Sequence, residues 1–414
     1  MKYQQLLIAF CFYSFVIFFV QQSQLTYAGQ HLCACDDAFY LLQFKKGLTV
    51  VDQNIHVCDN ETRAKTLSWN VTGDCCQWDG VTCNGFTGHV IGLDLSCSIL
   101  NQTINANSSL TKLGHLQRLN LAFSQFDDDF PLGISELSSL THLNLSNTGF
   151  NEGEIQIPPG LSKLSKLVSL DLSSNDFQVG RTTFRSLLQN LTNLEVLLLD
   201  SVEAPFELPK NFPSSLRYLI LQDTNMCGNI SDSQLFHLPN LQVLRMGWNP
   251  LLTGTLPNFN WSFSTNLSLN RLSGLIPVSI GNLGGIRVLR LSSNSFTGNV
   301  PSTISKLNKL VDLDLSFNDF QGSILECIGN LTAITKLTLS GNNFTGNAPS
   351  TIKKLKTLNY LSLSFNNFES SIPDNFANFS EPSFLYLQTN NFPGPLPYSI
   401  ATLTRLQELN LQNN

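Results

Sequence analysis

From about residue 89 to residue 414, leucines return in one order, Leu-x-x-Leu-x-x-Leu-x-Leu-x-x-Asn, at intervals of 21 to 27 residues. The closing position is Asn249, Asn270, Asn294, Asn318, Asn342, Asn366, Asn390 and Asn414, and from Asn270 onward every interval is 24. Toward the N-terminus the register continues through Thr224, Val202, Asn175, Thr148, Ser124 and Ser98, which makes fourteen coils. A fixed period of this length marks a stacked repeat, because one unit cannot bury its own apolar face and must share a core with its neighbours. In Leu289-Arg290-Leu291 two leucines alternate with a polar residue, the pattern of a strand with one buried face. Each coil is therefore expected to add one strand to a parallel sheet. The Asn column (Asn175 and then Asn249 to Asn414) is expected to sit inside the turn, where its amides satisfy backbone groups that would otherwise be buried unpaired.

After the Asn, several coils read Phe/Leu-x-Gly-x-Ile/Val/Leu-Pro, as in Leu272 to Pro277, Phe296 to Pro301 and Phe392 to Pro397. Glycine permits a turn that other residues resist, and proline holds an extended segment that cannot continue a helix. The expectation is a right-handed solenoid or horseshoe. A parallel sheet would line its concave face, and narrow, mostly irregular or 3-10 segments would form the convex face rather than helices. Phe177, Phe296, Phe320, Phe344, Phe368 and Phe392 stand two places after the ladder position and read as an internal aromatic spine.

Composition changes the picture in two ways. The formal charge of the 414 residues is −6, which argues against nucleic acid as a partner, and only 13% of residues are charged. No Asp, Glu, Lys or Arg occurs between Lys2 and Asp36, where the apolar run Leu6–Val20 is followed by Thr26-Tyr27-Ala28. That arrangement is expected to be a signal peptide over residues 1–28, and it places the product in the secretory pathway. Twelve Asn-x-Ser/Thr sequons fit that route: Asn60, Asn70, Asn101, Asn107, Asn144, Asn190, Asn229, Asn260, Asn266, Asn330, Asn343 and Asn378. Six cysteines, Cys33, Cys35, Cys58, Cys75, Cys76 and Cys83, crowd into 51 residues and read as a disulfide framework rather than a zinc site, since no Cys-x-x-Cys is present.

The repeat is similar to that of plant extracellular leucine-rich repeat proteins. The N-terminal segment makes the resemblance more specific, with His31-Leu32-Cys33, Leu41-Leu42-Gln43-Phe44-Lys45, Leu67-Ser68-Trp69-Asn70, Asp74-Cys75-Cys76-Gln77-Trp78-Asp79-Gly80-Val81-Thr82-Cys83 and Gly88-His89-Val90. It resembles the cap of Cf-type receptor-like proteins, the disease-resistance receptors of solanaceous plants, including the extra Cys58 and Cys97. The resemblance implies a cap over residues 29–88, repeats over 89–414, and the pairs Cys33–Cys75, Cys76–Cys83 and Cys58–Cys97. It further implies a downstream membrane helix, a peptide or protein elicitor as ligand, and signalling through receptor kinase co-receptors. Cys35 departs from the family pattern, and Cys227 and Cys327 have no assigned partner. A helix over residues 36–48 would cover the first coil. The sequence ends at a ladder Asn without a terminal lid, so an N-terminal portion of a longer receptor is expected. The alternatives are a soluble apoplastic inhibitor of a cell-wall-degrading enzyme and a non-signalling decoy.

No nucleophile, base and oxyanion donors fall together in a motif, so neither enzyme activity nor a cofactor is expected. Asp127-Asp128-Asp129 lacks the alternating spacing of a calcium loop. Function is expected on the variable positions of x-x-Leu-x-Leu-x-x, where most coils carry Ser, Asp, Asn or Thr. Three coils depart from this, displaying Val196, Leu198, Tyr218, Ile220, Arg245 and Trp248 along with Asp200, Gln222 and Asp223, and aromatic and Arg residues there are candidate interface anchors. Glycans on Asn144 and Asn266 would flank this window. A second window runs from Arg287 to Gln412 with Arg287, Arg290, Tyr360, Phe384 and Tyr386, while Phe317 and Phe365 are common fillers.

Overall fold

The computed structural model describes residues 33–50, 58, 65–98, 100–101, 107–124, 130–148, 155–258, 261–323, 326–346, 352, 354–372, 374 and 383–414. The expected signal peptide, Asp127-Asp128-Asp129 and the sequons at Asn60, Asn260 and Asn378 lie outside them.

The alternating leucines form the predicted strands. A 15-stranded sheet runs the length of the chain, from Val81–Cys83 and Val90–Asp94 to Glu408–Asn410. Val81–Cys83 is antiparallel to its neighbour, and the other fourteen strands are parallel in an unbroken register, with Leu289 opposite Leu313 and Leu313 opposite Leu337. Leu283, Ile286, Leu289 and Leu291 of one coil are all fully buried. Burying each such side chain is worth about 1.5–3 kcal/mol before chain entropy opposes it.

The ladder works by a repeated bonding pattern. The Nδ2 of Asn318 donates to the carbonyls of Leu315 and Ser316 in its own coil and of Leu291 one coil back. Asn342, Asn366 and Asn390 repeat these bonds. Where Thr224 replaces Asn, its hydroxyl donates to the Leu221 carbonyl and to the Oδ1 of Asn249. The residue just before each ladder position is left-handed, with positive φ at Cys97, Phe123, Asn147, Ser174, Ser201, Asp223, Trp248, Leu269, Ser293, Phe317, Gly341, Phe365, Thr389 and Asn413. That conformation turns the chain inward and costs a non-glycine residue about 1–2 kcal/mol. At Gly341 a Cβ would stand 2.6 Å from the Phe317 ring, which lies across the glycine.

The Phe-x-Gly segments depart from the expected irregular path. With the corresponding segments of neighbouring coils, three of them build a seven-stranded second parallel sheet, from Cys227–Asn229 through Ser295–Gly298 and Asp319–Ser323 to Asn367–Phe368. Gly298 ends one of these strands at φ 75°, and a Cβ there would meet Leu275 Cδ2 of the previous coil at 2.4 Å. The phenylalanines stack beneath this sheet. Phe296, Phe320, Phe344, Phe368 and Phe392 lie 5.9–6.5 Å apart with rings nearly parallel, and all are buried. The convex side carries short 3-10 turns such as Val278–Asn282 and Ser302–Lys306. The coil between Asn175 and Val202 holds a ten-residue α-helix, Arg181–Asn190, which buries Phe184, Leu187 and Leu188, and the last coil a four-residue one, Tyr398–Ala401.

The cap is built on the helix Cys35–Gly47, with Asp36 and Asp37 in its first turn and Lys45 and Lys46 in its last, both favourable to the helix dipole. Leu41 and Phe44 are buried against the first coils. The Oδ2 of Asp37 accepts from the Val90 backbone N–H at 2.8 Å and so ties the helix to the first repeat strand. Trp69 and Trp78 stack at 5.5 Å. Disulfides join Cys33 to Cys75, Cys58 to Cys97 and Cys76 to Cys83, the pairs that the family resemblance implies. Closing the 42-residue separation of Cys33 and Cys75 removes about 4 kcal/mol of unfolded-state entropy on the loop-closure model. Among the described residues Cys35 is an exposed free thiol and Cys227 a half-buried one. The side chain of Cys327 is outside the description.

Candidate ligand-binding surface

Because each strand here buries its central residue, a leucine except for Thr265 in Ser264–Asn266, the residues on either side of it line two columns along the concave sheet. One column runs Ser169, Val196, Tyr218, Val243, Ser264 in register. The other runs Asn144, Asp171, Leu198, Ile220, Arg245, Asn266, Arg290. The strip of apolar side chains is therefore contiguous, with Val196, Leu198, Tyr218, Ile220 and Val243 on three adjoining strands. Beneath it Leu197, Leu219 and Leu244 are fully buried.

Not all the candidate residues present themselves equally. Ile220 is only 7% exposed and acts as the floor of the strip, whereas Trp248 is 45% exposed and projects from the left-handed rim. Tyr218 is half-buried, and its hydroxyl lies 2.9 Å from the Gln242 amide. Gln222 is half-buried, with its Oε1 3.5 Å from the Asn266 Nδ2. Asp223 is exposed, with the Ser201 hydroxyl 3.5 Å from its Oδ2. Arg287 is exposed. Arg290 is committed to an ion pair, its Nε 3.0 Å from the Oδ2 of Asp312 on the next strand.

The charges in the window are unequally shared. Burial pushes the Asp200 carboxyl up to about 6, with the nearby Asp223 charge adding to the effect and Arg245 opposing it. The Oδ1 of Asp200 is buried without a hydrogen-bond partner. Burial, then the neighbouring Arg290, brings Arg245 down to about 10. Asp171 is raised by burial, although Ser173 donates to it from both its backbone and its hydroxyl.

Sequence reasoning did not single out Asp171, Val243 or Asp312. Asp and Ser are the ordinary polar fillers of these columns, and only the register shows that Asp312 answers Arg290. In the second window Lys336 lies 5.2 Å over the Tyr360 ring, and Tyr360 contacts Phe384 and Tyr386 at 5.8 and 5.4 Å. The Tyr386 hydroxyl donates to Glu408 at 2.7 Å.

Asn144 and Asn266 lie in the second column with four strands between them, those carrying Asp171, Leu198, Ile220 and Arg245. Each holds a local bond through its Oδ1, from Ser146 N–H and Ser268 N–H. Asn190 and Asn330 are exposed at the ends of convex-side helical segments.

Residues 35–84 match the family described as leucine rich repeat N-terminal domain, and residues 285–307, 309–331 and 332–392 match leucine rich repeat families. Receptor-like protein Cf-9 of Solanum pimpinellifolium is 40% identical over 258 residues, which cover 60% of this chain and 29% of Cf-9. Receptor-like protein 9DC1 of the same plant is 34% identical over 306 residues, 70% of this chain and 34% of that protein. Receptor-like protein 6 of Arabidopsis thaliana is 35% identical over 278 residues, 63% and 28% of the two chains. The chain thus spans about a third of the length of the curated relatives it matches. Among solved structures, a TDR receptor superposes with a TM-score of 0.64 at 28% identity, covering 78% of this chain and 59% of that one. The peptide hormone receptor RGFR1, solved with RGF2, shares the fold with a TM-score of 0.52 at 23% identity, over 80% and 63% of the two chains.

The chain is a leucine-rich repeat protein with a disulfide-bonded N-terminal cap. It is similar to Cf-9 and other plant receptor-like proteins over 60–70% of its own length. Among the described residues no helix is long and apolar enough to cross a membrane.

Proposed function

We propose that this chain is the ligand-recognition region of a plant cell-surface receptor-like protein in innate immunity. It binds a pathogen- or self-derived peptide or protein on its concave face and signals through partner receptor kinases. The 40% identity to Cf-9 over 258 residues carries this reading. In it, residues 1–28 direct secretion to the apoplastic face, residues 29–88 cap the solenoid, and residues 89–414 present the ligand surface. Tyr218, Ile220, Gln222, Asp223, Arg245, Trp248, Arg287 and Arg290 form the contact region, with Ile220 supporting it from below. Glycans on Asn144 and Asn266 bound the region and leave it bare.

The test is a leaf assay of the full-length gene product challenged with apoplastic fluid from infected tissue. An oxidative burst is expected from the wild type and a loss of it from the Tyr218→Ala, Arg245→Ala, Trp248→Ala triple variant at equal accumulation. A triple variant that responds as the wild type does sinks this assignment of the surface.

A further inference from the structure

The solvent side of this sheet has no partner layer, which explains why most coils place polar residues there, such as Ser169, Ser264, Asp314 and Ser362. The strip from Val196 to Val243 is the exception among the central coils. Val196, Leu198, Tyr218 and Val243 remain half-exposed to water. Apolar area left in water is disfavoured by about 25 cal/mol per Å², so such a strip favours a covering ligand.

Its polar border is acidic on three consecutive coils. Asp171 stands beside Leu198 in register, Asp200 lies two residues beyond Leu198, and Asp223 follows on the next coil. The Asp200 carboxylate feels the charges of Asp171 and Asp223, and one guanidinium, that of Arg245, opposes them. The next guanidinium along the column, Arg290, is held by Asp312. On the other border Arg217 is within 3.4 Å of Glu195, so that cation also has a carboxylate. A carboxylate oxygen of Asp200 is left with no donor at all. A part-buried carboxylate with two like charges beside it is stabilised most, at its accessible edge, by a donor that also carries positive charge. Two residues along a strand are separated by about 6.6 Å, which is also the spacing of same-face side chains in an extended peptide.

We propose that this strip docks an extended peptide segment that lays an aliphatic side chain on Val196, Leu198 and Tyr218 and, two residues on, sets a lysine or arginine against Asp200, with Asp223 as second anion. The inference rests on the concave face being the ligand surface, as proposed above, and adds the chemistry of the ligand: aliphatic, any residue, basic. Acidic segments are rejected by the three carboxylates.

Fluorescence anisotropy at pH 7.5 tests it with the secreted, glycosylated chain and two labelled decapeptides, one repeating Val-Thr-Lys and one repeating Val-Thr-Glu. The basic peptide is expected to bind, the acidic one not. Asp200→Asn and Asp223→Asn should each weaken the basic peptide, Asp200→Asn by tenfold or more, and Leu198→Ser should weaken it too. The two Asn substitutions preserve side-chain shape, and an unchanged circular dichroism melt verifies the fold. Equal binding of both peptides, sensitive to Leu198→Ser but not to Asp200→Asn, overturns the basic-residue assignment and leaves the concave surface standing. Binding indifferent to all three substitutions, or no binding of the basic peptide, overturns the inference. The leaf assay with the triple variant then decides the broader reading separately.

Discussion

The amide oxygen of Asn318 accepts a hydrogen bond from the backbone N–H of Phe296, one coil earlier, at 3.0 Å. Its Nδ2 meanwhile holds three carbonyls across the same two coils. One side chain thus replaces the hydrogen bonds that a continuous sheet would supply at the point where the chain turns inward. Asn318→Ala should leave those groups buried and unpaired, at about 1–3 kcal/mol for an orphaned group. Asn318→Thr should cost less, since Thr224 fills the same position with its hydroxyl bonded to Leu221 and Asn249. Chemical denaturation of both variants checks this order, and equal losses would contradict it.

The phenylalanine column should be the most sensitive part of the C-terminal coils. Phe344 is 1% exposed and stacks on Phe320 and Phe368 at 6.2 and 6.5 Å. Phe344→Ala should lose about 3–5 kcal/mol, the range for large-to-small core changes, and Phe344→Leu clearly less. A loss under about 1 kcal/mol in thermal melts would mean that the column is not packed as described.

Gly298 allows a separation of two effects. Gly298→Ala carries the left-handed penalty of about 1–2 kcal/mol and drives a Cβ into Leu275 Cδ2. Leu275 is 63% exposed, so Leu275→Ala removes the obstacle at little expense. The double variant should therefore recover part of the loss, and a double-mutant cycle measures the coupling. Strict additivity would show that only the backbone conformation matters.

Asp200 predicts a pH dependence of unusual sign for a carboxylate. Its folded pKa, about 6, lies above the ordinary 3.8, so between those values the folded chain holds a proton that the unfolded chain has released. Stability should fall as pH rises through that window, by at most about 3 kcal/mol, whereas Asp200→Asn should not show this component. The difference in unfolding free energy between wild type and Asp200→Asn, followed from pH 4 to pH 8, checks it. A difference independent of pH would remove the account.

The core was legible because its signal repeats. One ladder residue and one Leu-x-Leu pair per coil are enough to predict the concave sheet, and Phe296 to Phe392 mark the spine directly. The second sheet was hidden, since a strand such as Ser295–Gly298 buries only its Phe and shows no alternation to read. Its partners come from the neighbouring coil, which no window along the chain contains. The helix Arg181–Asn190 was hidden too, since the coil before it, Thr148 to Asn175, has the same 27-residue length without an α-helix among its described residues. At the proposed ligand surface Tyr218, Arg245 and Trp248 stood out by type. Asp171 and Asp312 did not, because their significance lies in which strands adjoin, and Arg290 looked available until its partner was placed.

The left-handed residue before each ladder position has a consequence for how this surface can diversify. Its side chain points away from the leucines, and among the fourteen coils it is Trp, Phe, Leu, Ser, Thr, Asp, Asn, Gly or Cys, never buried. The strain falls on the backbone and is least for Gly, Asn and Asp, so apart from Cys97, held in a disulfide, and Gly341, whose Cβ would meet the Phe317 ring, exchanges at this position leave the packed leucines untouched. The chain thus carries a rim of twelve such positions that can change by single codon steps while the packed interior is inherited intact, and on the proposed ligand surface Trp248 and Asp223 are two of them.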